Sequence, residues 1–245
     1  MQNRARLALV AAVTFLIGVV AFFPSRVAYQ WLAPPGVTLS GMAGSVWHGA
    51  AAEASLHGFY LRDLRWRLRP VRLLRGGLFY QLEARPPSGF VDATAGVTLT
   101  GSLVVENLRL SLSLSGLHLA LPVPAINGNA SLQFEHLRVA DGLPTDADGF
   151  VQVESLVVPW VNRQPLGGYR VEFMTRESGV IGTIEDADAI IDVAGTIELR
   201  EDRRWELVLL VAANERTPPE MRQQLPLIGP GNDRGQYEFR RSGQL

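Results

Sequence analysis

At 245 residues and a formal charge of −1, with 47% apolar and 19% charged residues, the chain can build a packed domain, which excludes wholesale disorder. All 23 of its cations are arginine, so phosphate-loop lysines, Schiff bases and lysine nucleophiles are excluded. Cysteine is absent and the four histidines (His48, His57, His118, His136) share no metal-ligand spacing, which leaves no thiol chemistry, disulfide or thiolate metal site.

The small net charge conceals an asymmetry. Residues 1–75 carry nine arginines against two acids, whereas residues 135–192 carry four arginines against eleven acids. Such segregation suits a membrane surface or a charged partner, or is simply a solvated surface.

In chain order the first element is apolar. Arg4 and Arg6 precede Leu7–Phe23, whose only polar member is Thr14. A helix of that length spans about 26 Å, near the short end for crossing a bilayer. Pro24 is placed to kink or restart it, and Tyr29 and Trp31 follow at interfacial depth. Ser25-Arg26-Val27 and Arg26-Val27-Ala28 both fail the small-x-small cleavage pattern, so the run reads as an uncleaved signal anchor rather than a signal peptide. Arg4 and Arg6 then hold the start in the cytoplasm. The expected organisation is a cytoplasmic tail over 1–6, an anchor over 7–23, a juxtamembrane segment over 24–34 and one exported β domain over 35–245.

Beyond the anchor the period changes to two. Leu64, Trp66 and Leu68 alternate with Arg65, Arg67 and Arg69, the pattern of a strand with one buried and one wet face. From 97 to 121 apolar residues alternate with parity flips at Glu106-Asn107 and Ser115-Gly116, which mark hairpin turns or bulges. Leu110, Leu112 and Leu114 should share one face. Alternation recurs over 126–134, 151–153, 169–173, 190–199 and 205–211, with turn residues expected at Asn127-Gly128-Asn129, 141–144, 176–179 and 200–204. About twelve strands result. Short connections require antiparallel neighbours. The fold class is therefore mainly all-β: a transmembrane helix, then a curved, largely antiparallel sheet, either an open groove or an incomplete barrel. One short helix is expected near 218–225, with Thr217 as its N-cap, proline at its first position and Glu220 completing a capping box.

Few residues suggest chemistry. Ser45 and His48 read as turn neighbours rather than a catalytic pair. Glu185, Asp186 and Asp188 read as a solvated loop, since calcium-loop spacing is missing. Neither a cofactor nor a metal is implied, and the chain does not read as an enzyme. The densest charge is Arg62, Arg65, Arg67, Arg69, Arg72 and Arg75. Stacking aromatics do not interleave through it, so nucleic acid is not the partner. Anionic headgroups, an acidic protein surface or a merely solvated face are the readings that fit.

The stretch Gly41-Met42-Ala43-Gly44-Ser45-Val46-Trp47-His48-Gly49 requires close backbone approach around one aromatic ring. Trp47 is either a plug beneath the turn or an anchor for a neighbouring subunit. An anchor followed by x-G-x-V-W-x-G, with a later Asn-Gly before an alternating strand, resembles the protein N family of the bacterial type II secretion system. Leu166-Gly167-Gly168-Tyr169, Leu225-Pro226-Leu227-Ile228-Gly229 and the closing Arg241-Ser242-Gly243-Gln244-Leu245 are similar to that family's C-terminal half. The resemblance implies a non-catalytic accessory component of the bacterial inner membrane, single-pass, with its bulk in the periplasm. Its implied partners are the inner-membrane platform proteins and the outer-membrane secretin, and Trp47, Arg62, Arg65, Arg67 and Arg69 are the candidate contacts. A periplasmic lipid-binding or lipid-shuttling β-groove is the alternative reading.

Overall fold

The computed structural model describes residues 2–33, 35–74, 76–115 and 126–244, with the side chains of residues 2–9 and 32 excepted. Helix α1 (Gln2–Ala21) and helix α2 (Ser25–Leu32) are separated at Pro24, whose ring cannot continue the hydrogen-bond ladder of α1. Among the described residues no helix is long and apolar enough to cross a membrane. Val10, Phe15, Leu16 and Ile17 of α1 are nonetheless exposed.

Most of the remaining described residues belong to one sheet. Its strands are β1 (Val37–Ser40), β2 (Ala43–Gly44), β3 (His48–Leu56), β4 (Phe59–Leu68), β5 (Gly77–Arg85), β6 (Gly89–Thr98), β7 (Leu103–Ser113), β8 (Asn127–Ala140), β9 (Leu143–Val157), β10 (Gly168–Arg176), β11 (Gly179–Ala187), β12 (Ile191–Arg200), β13 (Arg204–Ala213) and β14 (Gln236–Gln244). They pair in sequence order from β3 to β14, with β1 and β2 both on β3, and every pairing is antiparallel. Among the described residues no pairing joins β1 to β14, so the sheet is open.

The edges are partly closed by other means. On β1 the Tyr29 hydroxyl donates to the Val37 carbonyl at 2.9 Å and accepts from the Leu39 N–H at 3.3 Å. On β14 the Glu238 N–H donates to the Pro230 carbonyl and the Asn232 N–H to the Gln236 carbonyl. Blocking exposed backbone in this way discourages edge-to-edge aggregation.

Register separates the two faces. Val91, Leu110, Leu132, Val151, Val171 and Ile184 lie opposite one another across six successive strands, and each is only half-buried. On the other face the adjacent row reads Asp92, Arg109, Gln133, Phe150, Glu172 and Thr183. Among the described residues two clusters of buried side chains pack together. One gathers Phe134, Ala147 and Val180, and the rings of Phe134 and Phe173 meet at 5.8 Å over Gly149, which is paired with both. The other packs Leu166, Ile191 and Val211 against Met221 and Leu225.

Several expectations are corrected. Among the described residues the sheet has fourteen strands rather than about twelve, because β1 and β2 are too short to show a period. The alternating stretch from 97 is interrupted by a turn between β6 and β7, leaving Leu99 exposed. The flip at Glu106-Asn107 is a bulge inside β7: Asn107 has φ +51° and the register with β6 shifts there. The flip at Ser115-Gly116 and the leucines 117, 119 and 121 fall among or beside residues outside the described set. Asn127-Gly128-Asn129 begins β8 instead of forming a turn, and Glu185-Asp186 lies in β11 rather than a loop. Leu112 is buried and Leu110 half-buried as a shared face requires, but β7 ends before Leu114.

The late helix is present over Pro219–Gln224, but Pro218 occupies its N-cap position. The Thr217 hydroxyl instead donates to the Ile190 carbonyl at 2.6 Å and accepts from the Asn214 N–H at 2.8 Å. A hydroxyl committed to holding the loop on β12 is not available for capping. A further short helix, Pro70–Leu73, joins β4 to β5.

Candidate functional site

The arginine row is positioned by strand β4. Arg65 lies opposite Glu83, Arg67 opposite Gln81, and Arg62 opposite Arg85. Glu83, Gln81 and Arg85 are two apart on β5, so they share a face, and their partners Arg62, Arg65 and Arg67 share it too. The odd spacing of Arg62 from Arg65 is absorbed at Asp63, where φ is +50° and the register shifts by one residue. A bulge thus restores a common face that simple alternation would break. All three arginines are exposed, while Leu64, Trp66 and Leu68 are half-buried behind them.

Each arginine has a distinct setting. The Arg62 guanidinium lies 5.7 Å from the Tyr60 ring centre. Opposite it, Glu53 accepts hydrogen bonds from Tyr60 and Ser40. Those bonds, with Arg62 nearby, hold its carboxyl below the usual range. Arg62 also opposes Arg85, and like charges directly across a ladder are unfavourable. Arg69 donates to the Gln81 side chain at 2.8 Å. Arg72, on the 70–73 helix, pairs with Glu106 of β7 and lies over the Phe79 ring. Arg75 lies outside the described residues. Arg65 and Arg67, with His48, Trp66, Gln81 and Glu83, line an open pocket of about 460 Å³.

Trp47 belongs to the same corner. Its indole N–H donates to the Val20 carbonyl at 2.7 Å, near the C-terminal end of α1, where that carbonyl also accepts from the Phe23 N–H at 3.3 Å. Its own carbonyl accepts from the Leu68 N–H. The ring is half-buried, and the indole bond makes Trp47 a clasp on α1. The glycine stretch completes the joint. The Val46 N–H donates to the Phe23 carbonyl, the Ser25 hydroxyl to the Gly44 carbonyl, and the Arg26 side chain to the Met42 carbonyl at 2.7 Å. A β-carbon on Gly49 would sit 2.5 Å from the Trp66 ring, which is the close approach that this stretch requires. The sequence did not reveal the Arg72–Glu106 pair or the Tyr29 edge cap, since each joins residues that no local pattern connects.

The corner therefore offers guanidinium groups for anions and an aromatic clasp to a helix. Among the described residues no three His, Asp or Glu side chains gather to hold a metal ion. Residues 35–240 match the family described as type II secretion system protein N. The chain belongs to the type II secretion system protein N family. It is 27% identical to the type II secretion system protein N of Vibrio cholerae serotype O1 over 97% of both chains, and 22% identical to that of Aeromonas hydrophila over the whole of both. No solved structure gives a significant match. Membership makes this a component of type II secretion, a protein-transport machine, and implies other secretion subunits as partners. The open all-β sheet is thus the fold of a protein N family member.

Proposed function

We propose that this protein N family member is a non-catalytic, single-pass component of the bacterial inner membrane that supports export of folded proteins from the periplasm. Residues 1–6 are cytoplasmic, 7–23 form the anchor, 24–34 join it to the sheet, and 35–245 lie in the periplasm. Contacts with platform proteins and the secretin, made in part through Trp47, Arg62, Arg65, Arg67 and Arg69, carry the role. The observation that supports this reading is the end-to-end likeness to two proteins named for type II secretion. Deleting the gene should leave substrates folded in the periplasm or weaken the assembly. Intact secretion and assembly in the deletion strain would overturn the proposal. For the anchor, intact N-terminal sequence and periplasmic-only activity of a reporter fused at Leu245 are expected.

The half-buried apolar row from Val91 to Ile184, which lacks a second layer over it among the described residues, favours one other reading: a lipid-binding β-groove, since large exposed apolar surface is unusual unless covered. Native mass spectrometry of the detergent-extracted chain separates the two. Stoichiometric phospholipid supports the groove, and copurified secretion subunits support the assembly role.

A further inference from the structure

Outside the arginine corner, one group of exposed apolar side chains, including the two most exposed leucines, gathers at one end of the sheet. Leu74, just after the 70–73 helix, and Leu99, in the β6–β7 turn, are each 90% exposed. Val71 and Leu73 on that helix, with Leu78, Val97 and Leu103 at the adjoining strand ends, are also exposed. The two turns are one unit, because the Leu99 N–H donates to the Gly76 carbonyl and the Gly76 N–H to the Leu73 carbonyl. Such a patch on a folded domain marks a protein or a membrane contact.

Its position distinguishes the two. Leu68, the last residue of β4, donates its N–H to the Trp47 carbonyl, and the Trp47 indole holds the Val20 carbonyl of α1. Only Arg69 separates Leu68 from the helix that carries Val71 and Leu73. The apolar tip therefore lies at the same end of the sheet as the C-terminal end of α1. The same end carries exposed Phe22 and Trp31 and the guanidinium groups of Arg67 and Arg69. Apolar side chains beside arginine and tryptophan are the composition of a surface that dips into the headgroup layer.

We infer that the tip formed by the 70–73 helix and the β6–β7 turn inserts into the interface of the phospholipid bilayer that α1 enters. The sheet then stands on the membrane at two points, the anchor and the tip, with its end apposed to the headgroups rather than hanging from a free tether. This rests on the anchor reading above.

The lack of cysteine permits a direct test on the full chain. Single variants Ile17→Cys, Leu74→Cys, Leu99→Cys and Pro87→Cys are labelled with a fluorophore and reconstituted in vesicles of phosphatidylethanolamine and phosphatidylglycerol. Pro87 is exposed in the turn between β5 and β6, at the opposite end of the sheet. Quenching by brominated acyl chains should be several-fold stronger at positions 17, 74 and 99 than at 87, with the reverse order for aqueous iodide. Positions 74 and 99 behaving like 87 while 17 remains lipid-quenched would overturn the tip contact alone. Iodide access at 17 as well would overturn the anchor, and the tip proposal with it.

Discussion

Trp47 shows how one side chain can join two parts of a molecule without being buried by either. Its indole bond gives the helix-end carbonyl of Val20 a second partner, worth about 1 kcal/mol for a typical protein hydrogen bond. Trp47→Phe keeps the ring and loses the donor. It should leave the sheet's melting temperature almost unchanged while accelerating proteolysis between α1 and α2, as read by mass spectrometry of fragments. A large fall in sheet stability would mean that the ring is core after all. Tyr169 makes a separate, electrostatic statement. Burial, with Asp186 and Asp192 adding repulsion, pushes its hydroxyl up to about 12. The unfolded chain ionises this tyrosine near pH 10 while the folded chain keeps the proton. Stability present below pH 10 is therefore lost as pH rises toward 12, by on the order of 1–2 kcal/mol once screening of a half-exposed group is allowed for. Tyr169→Phe should flatten that alkaline decline in denaturant midpoints measured at successive pH values.

At the scale of elements, glycines and bulges decide what the strands can pack. Gly49 lies under Trp66, and a β-carbon there would also meet the Ala43 carbonyl oxygen at 2.7 Å. Backbone cannot yield as a flexible side-chain end can, so Gly49→Ala should cost about 1–3 kcal/mol, the usual range for overpacking, in thermal unfolding. An unchanged melting curve would place the ring elsewhere. In β7, Leu112 is 7% exposed and faces the equally enclosed Ala130. Leu112→Asp should remove at least about 3 kcal/mol, combining a lost apolar side chain with an unpaired carboxylate. Alternation in β4 was plain in the sequence because Leu64, Trp66 and Leu68 have wet neighbours. The bulge at Asp63 was not, since a left-handed aspartate looks like any other aspartate until two strands are paired around it.

For the whole molecule the governing fact is a single open sheet of mostly nearest-neighbour hairpins. Local pairing keeps contacts close in sequence, so most of the sheet can zip strand by strand. Far-ultraviolet circular dichroism of the full chain should be dominated by β-structure, with a modest helical part from α1 and α2. A mainly helical spectrum would contradict the fold. Among the described residues the open sheet also leaves one apolar face without a second layer, the kind of surface that a partner covers.

Period, turn residues and short connections determined the antiparallel all-β class and the meander order, and short motifs such as that around Trp47 carried the family likeness, because each is written in neighbours a few positions apart. The common face of Arg62, Arg65 and Arg67 was half legible: spacing aligns the last two, and only the register around Asp63 adds the first. The tertiary structure alone decided that Trp47 grips α1, that Thr217 holds a loop instead of capping a helix, and that the sheet fails to close. The first two outcomes rest on hydrogen bonds between residues 27 positions apart, Trp47 with Val20 and Thr217 with Ile190, and a hydrogen bond across that distance leaves no periodic trace in the chain.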